Sequence, residues 1–246
     1  MTPTFCMTSQ EVTLSGNSWT KGASNPRHHD MHAPLRLERP QLLTEMALER
    51  IRLAIYEGQI KLGEQVSEAQ LAVQLGVSKT PVREALVRLA RDGLAQTHPQ
   101  RGSFIFKLDT TQVEQLCRYR AMVETAALRE AMAFDRPRLV DAMVLRLDQM
   151  REAEPARDLK ALARIDMDFH WQFFAHCPNA YLATGYEVIR GQLTALRHRS
   201  PIANAVSSHE ILVDAVASHD VQTACTLLSE HVSENVPRYR AACEQA

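Results

Sequence analysis

The chain has 246 residues, of which 45% are hydrophobic, and a formal net charge of -1. That is long enough for two modest domains with packed cores, and it excludes a globally basic nucleic-acid binder, so any such contact must come from a local patch. Five cysteines, Cys6, Cys117, Cys177, Cys225 and Cys243, are scattered with no CxxC pair, as expected of reduced thiols in a cytosolic protein. No apolar run approaches the roughly 20 residues that span a bilayer, and the start lacks the apolar segment of a signal peptide. A soluble, cytoplasmic chain with no membrane partner is expected.

Residues 1–40 mix Thr, Ser, Gly, Asn and Pro with few periodic apolar residues, which predicts a disordered tail. His28, His29 and His32 inside it read as surface residues of that tail. From Gln41, Leu43, Met46, Ile51, Ala54 and Ile55 recur at near-helical spacing up to Gly58, a first helix. Ser67-Glu68-Ala69-Gln70 has the form of a capping box and opens a short second helix through Leu71, Ala72 and Leu75, stopped by Gly76. A third helix follows, capped by Ser78 or Thr80, with Pro81 tolerated in its first turn and Val82, Ala85, Leu86 and Leu89 as its apolar stripe. Ala95–Thr97 and Ser103–Phe106 flank "HPQRG", a small hairpin with a basic tip.

Asp109 to Gln112 makes a second capping-box start, and the rest of the chain is helical in period. Breaks near Asp135-Arg136-Pro137, Glu154-Pro155, Pro178-Asn179, Ser200-Pro201 and His219-Asp220 cut it into about six helices. The expected fold is mostly α, with a winged helix–turn–helix over 41–108 and an all-helical domain over 109–246.

On a helical wheel, Lys79 and Arg83 lie together just outside the apolar arc of the third helix, near its start. A helix–turn–helix needs this arrangement, because the N-terminal residues of its second helix enter the major groove. Ser78, Lys79, Thr80 and Arg83 are donors suited to phosphate oxygens or base edges, and Arg101 and Gly102 at the hairpin tip would reach the flanking backbone as a wing. An ordinary solvated amphipathic helix accounts equally well for the charges taken alone. The order of residues decides between the two. The segment from Glu57 to Phe104 resembles the winged helix–turn–helix of the GntR family of bacterial transcription regulators, through Gly58, Gly63, Ser67, Glu68, Leu71, Ala72, Gly76, Val77, Ser78 and Thr80 to Leu86. Lys79 replaces the usual Arg, Leu62 the usual Pro, and Ala69 stands where several relatives carry an Arg. Lys keeps the charge but loses the bidentate fork, which alters base discrimination at that point. The resemblance implies double-stranded operator DNA as partner and a homodimer that reads a palindrome.

In the helical half, Leu162, Asp166, Phe169, His170 and Phe173 share one face. His209 falls in the stripe Val206, His209, Val213, Val216, and His231 in the stripe Ala224, Leu227, Leu228, His231. Each histidine alone reads as a satisfied core residue. Together, one carboxylate and three imidazoles at apolar positions of three helices make a candidate site for Zn²⁺, Ni²⁺, Mn²⁺ or Fe²⁺. Arg120 and Glu124 lie in another inward stripe, and a buried Arg–Glu pair that only braces the bundle is one reading of them.

"RYRAMVETAAL", "DMDFHWQFFAHCPNAYL" and "SHEILVDAVASHDVQTACTLLSEH" resemble helices of the FCD effector-binding domain of FadR-type GntR regulators, in its shorter, VanR-like variety. The resemblance implies an antiparallel bundle around a cavity, with Asp166, His170, His209 and His231 as metal ligands and Zn²⁺ the first candidate. It also implies a small carboxylate effector that fills open coordination sites. On their shared inward stripe Arg120 would grip a second carboxylate with Glu124 orienting it; Arg197 is a further candidate for the pocket and Asn179 for a helix end. A repressor is the role expected, with an activator left open. A metal-sensing regulator and a metal-dependent enzyme are the alternatives; neither an H-E-x-x-H motif nor a nucleophile–base arrangement supports an enzyme.

Overall fold

The computed structural model describes residues 41–244 apart from 201, 203 and 219. The expected tail over 1–40, with Cys6 and its three histidines, lies outside them. The first helices are α1 (Gln41–Tyr56), α2 (Glu68–Leu75) and α3 (Lys79–Arg91), and the strands are β1 (Gln65–Val66), β2 (Ala95–His98) and β3 (Gly102–Ile105). α3 buries Pro81, Val82, Ala85, Leu86 and Leu89, the predicted stripe, and α1 packs on it with Ala47, Leu48, Ile51 and Ile55 buried. Gly76 closes α2 in the left-handed conformation at φ 67, which costs glycine no Cβ clash.

Two local devices differ from expectation. Ser67 precedes α2, but its side chain makes no cap hydrogen bond, and neither does that of Ser78 before α3; Thr80 lies inside α3. The capping box at Ser67 is therefore not formed, and the acidic Glu68 in the first turn supplies the favourable charge instead. The hairpin β2–β3 forms as predicted and gains a third strand, with order β1-β3-β2, antiparallel throughout, and Gln65 opposite Phe104 and Val66 opposite Ser103. Two residues are too few to show an alternating period.

The rest of the described chain is helical: α4 (Thr110–Ala153), α5 (Leu159–Ala175), α6 (Ala180–Arg199), α7 (Ala205–Ser218), α8 (Val221–Ser233) and α9 (Val236–Glu244). The capping box at the start of α4 is present, with Gln112 N donating to Asp109 Oδ1 at 2.8 Å and Asp109 N to Gln112 Oε1 at 3.0 Å. The predicted break at 135–137 is a kink inside α4: Asp135 has φ -155 and ψ 76, and Arg138 N donates to its side chain at 3.2 Å. Asp135 thus caps the second segment, and Pro137 stands in a first turn where its missing N–H costs nothing. An unpredicted break at Glu234–Asn235 separates α8 from α9. α4 is the central helix, in contact with α5, α6, α7, α8 and α9. Cys117, Cys177, Cys225 and Cys243 are free thiols, and no helix among the described residues is long and apolar enough to cross a membrane.

Candidate functional site

At the surface of the N-terminal half, Ser78, Lys79, Thr80 and Arg83 are all exposed at the start of α3, and Arg101 and Gly102 are exposed at the tip of the β2–β3 hairpin. Arg83 is not loose. Its guanidinium straddles Glu68, with Nε 3.1 and 3.2 Å from the two carboxylate oxygens and Nη2 at 2.9 Å, while its side chain remains 68% exposed. Glu68 therefore braces Arg83 from α2 and leaves it on the outer face. At the wing, Gln65 Nε2 donates to the carbonyl of Arg101 at 2.7 Å, which ties the tip to β1.

Inside the helical half, Asp166 and His170 on α5, His209 on α7 and His231 on α8 converge. One ligand atom from each lies within 4.8 Å of all the others, and all four residues are buried. Bonds of about 2.0–2.2 Å from zinc to nitrogen and oxygen would place the ligands of one ion within roughly 4.4 Å of each other. That figure is the limit for ligands on opposite sides of the ion, and the side chains would draw closer around a bound metal.

The hydrogen bonds fix which atoms face inward. His209 Nδ1 lies 2.7 Å from the Ala205 carbonyl, which only accepts, so Nδ1 carries the proton and Nε2 the lone pair. That Nε2 sits 3.1 Å from Asp166 Oδ1. Two acceptors this close repel unless a cation, either a proton or a metal ion, sits with them. His170 Nδ1 lies 2.9 Å from Glu124 Oε2 without a well-aligned hydrogen bond between them, and with the carboxylate on that side Nε2 is the ring's ligand atom. His170 Nε2, His209 Nε2 and His231 Nε2 are buried with no hydrogen-bond partner among the described residues. Such atoms are costly unless something unseen binds them. The donor set fits a divalent transition metal.

Charge around the cluster is arranged to keep it in the ligand form. Burial pushes the Asp166 carboxyl up, but Arg197, with its Nη2 2.5 Å from Oδ2, and then His209 outweigh that and hold it well below the usual carboxylate range. Burial lowers His170 to about 4 in spite of Glu124 beside it, so its ring is neutral at neutral pH. Glu124 is held at about 2, where Arg120 and His170 overcome its burial.

Of the residues singled out in the sequence, Arg120, Glu124 and Arg197 therefore join the metal-type cluster, all with fully buried side chains. Arg120 Nε donates to Glu124 Oε1 at 2.6 Å and Nη1 to the Tyr239 hydroxyl at 3.3 Å. Asn179 does not join them: it caps α6, accepting from Tyr181 N, and donates to Glu130 at 3.2 Å. Sequence reasoning missed Tyr186, Asn235 and Tyr239. Asn235 accepts from Arg197 Nη1 at 2.9 Å and donates to the His231 carbonyl. The spacing His231, Asn235, Tyr239 repeats every four residues, and that spacing was the signal available.

The model of bacterial regulatory proteins of the gntR family matches residues 43–105, and the FCD domain model matches residues 115–234. The chain is 30% identical over 200 residues to an uncharacterized HTH-type transcriptional regulator in an unstable DNA locus of Streptomyces ambofaciens, covering 78% of this chain and 84% of that protein. It is 28% identical to the HTH-type transcriptional repressor RspR of Escherichia coli (strain K12), covering 85% and 96%. Its fold resembles that of E. coli McbR/YncC with a TM-score of 0.67 at 21% identity, over 81% of this chain and 97% of that one. The chain belongs to the gntR family of bacterial transcriptional regulators, with an FCD domain in its C-terminal half.

Proposed function

We propose that the protein binds double-stranded operator DNA as a homodimer, and that a small carboxylate effector, bound beside a divalent transition metal in the helical domain, sets its operator affinity. The DNA-binding domain is taken as 41–108 and the sensor domain, of the shorter VanR-like kind, as 109–246. Ser78, Lys79, Thr80 and Arg83 face the major groove and Arg101 and Gly102 the flanking backbone. RspR is named a repressor, and the same sense of control is inferred here.

The observation that carries this reading is the buried convergence of Asp166, His170, His209 and His231. A bound Zn²⁺, Ni²⁺, Mn²⁺ or Fe²⁺ would supply positive charge to the four ligands and offer open coordination positions to an anion. The chain's own residues do the rest. Arg197 keeps Asp166 ionised, Glu124 stands beside the His170 ring, and the Ala205 carbonyl fixes His209. Arg120 Nη2, Arg197 Nε and the Tyr186 hydroxyl are buried donors without an acceptor among the described residues. They suit the oxygens of a carboxylate, whose charge would strengthen each bond.

Purified protein should carry close to one metal per chain by elemental analysis, and a panel of small carboxylates should raise the melting temperature only when metal is present. Metal-free preparations unchanged by Zn²⁺, Ni²⁺ or Mn²⁺ would refute the metal reading. A metal-sensing regulator is the second reading, favoured by the fact that the ligands are already oriented from within the chain. If Zn²⁺ alone changes operator affinity as much as any carboxylate does, the metal itself is the signal.

A further inference from the structure

α6 touches both halves of the molecule. Its Arg197 reaches into the buried cluster, 2.5 Å from Asp166 and 2.9 Å from Asn235. Two residues on, Arg199 reaches the DNA-binding half: its Nη2 donates to the carbonyls of Ile55 at 2.8 Å and Ile60 at 2.7 Å. Ile55 lies in the last turn of α1, where carbonyls lack intrahelical partners and the helix end attracts a cation. Arg199 is thus a cap supplied to α1 from the other half of the chain.

Closer to the start of α6, Gln192 Nε2 donates to the carbonyl of Gly93 at 2.9 Å, just past the end of α3. The two elements approach so closely there that a Cβ on Gly191 would stand 3.1 Å from the Asp92 carbonyl oxygen and 3.1 Å from Leu94 Cγ. Gly93 itself has φ 71, and a Cβ on it would meet Gln192 at 3.2 Å. α6 therefore grips the C-terminal ends of α1 and of the recognition helix α3 together. From Gln192 to Arg199 is about 10 Å of helix at 1.5 Å per residue, short enough to move as one stiff piece.

We propose that α6 is the transmission element of this regulator: Arg197 follows the state of the buried cluster, and Arg199 with Gln192 carries the displacement to the ends of α1 and α3 and so re-aims the recognition helix. This rests on the reading of the cluster as a ligand site. The covalent link at Asp109 reaches the wing, whereas α6 reaches the recognition helix itself. Arg199 and Gln192 are positioning residues, and a ligand can act through them only if it binds one placement of α6 better than another.

Amide hydrogen exchange on the full chain tests this, with Zn²⁺ alone as the probe. In wild type, Zn²⁺ should slow exchange in α5 and α8 and also, by about tenfold, at residues 57–62 and 92–94. In the double variant Arg199→Ala, Gln192→Ala, protection of α5 and α8 should persist, which also reports that the variant is folded, while that at 57–62 and 92–94 should be lost. Equal protection of those two turns in wild type and variant would overturn the proposal. If Zn²⁺ protects nothing in wild type, the metal reading fails, and Arg197→Lys then delivers the perturbation: it should speed exchange at both turns, and do so only where Arg199 and Gln192 are intact. The same acceleration in their absence would overturn the α6 route independently. Should the double variant not fold, Gln192→Ala alone should keep the response at 57–62 and lose it at 92–94; retention of both overturns the route.

Discussion

Four side chains at the centre of the helical half, Asp166, Glu124, Arg120 and Arg197, are charged and fully buried. They are tolerable only because each charge meets its opposite. His170 joins them as a neutral ring, lowered by burial to about 4 from an ordinary 6.5. Because its folded value is the lower one, the unfolded chain binds more protons between those values, and stability is lost as pH falls from about 6.5 toward 4. Glu124, at about 2 against 4.5, adds stability that is present above 4.5 and lost as pH falls toward 2. The melting temperature of metal-free protein should therefore fall steadily from pH 7 to pH 4.5, and His170→Gln should make that fall shallower. A flat profile in wild type would contradict the burial of these groups. At the surface, Arg83→Ala should weaken specific operator binding by about 1–3 kcal/mol if Arg83 reads a base edge, whereas Arg101→Ala should reduce the salt slope by about 1 with little change in sequence preference. Fluorescence anisotropy at several salt concentrations separates the two; unchanged specific affinity in Arg83→Ala would remove it from the recognition surface.

The elements show where local rules act alone and where neighbours overrule them. Asp109 and Gln112 form their reciprocal cap because both partners lie within four residues and nothing competes. Asp109→Ala should lower stability by about 0.5–2 kcal/mol in denaturant melts, and a variant as stable as wild type would show that packing of α4 against its neighbours, not the cap, holds its start. Ser67, with the same kind of motif, stands directly after the β1–β3 pairing and makes no side-chain cap bond although its backbone is extended. The kink at Asp135 was legible as a break from Asp-x-Pro, but whether the two segments part or continue depends on what they pack against, and both lie along the same bundle.

For the whole molecule, the metal should act as any ligand that binds only the native state: chelation should lower the melting temperature, and metal in hundredfold excess over its dissociation constant should add about 2.7 kcal/mol. His209→Ala should abolish that gain yet retain operator binding, since His209 lies buried on α7 and the proposed DNA-facing residues are exposed on α3 and the wing. By reciprocity, operator DNA should change effector affinity in wild type. A His209→Ala protein that still responds to the effector as wild type does would make the metal structural and detach it from control.

The sequence by itself determined the elements whose causes are local: the apolar stripe of α3, the glycine at 76, the cap at Asp109, and the helical period of the second half. It also marked Asp166, His170, His209 and His231, because polar residues at apolar positions need an explanation whatever the fold. What only the tertiary structure decided were relations between distant residues. Arg197 against Asp166, Asn235 and Tyr239 closing the cluster, Glu68 bracing Arg83, and Arg199 capping α1 each join side chains from separate elements. A lone Arg on a helix face carries no periodic signal, and even where spacing marks a residue, as at His231, Asn235 and Tyr239, its partner is chosen by how the helices pack, which no window of sequence contains.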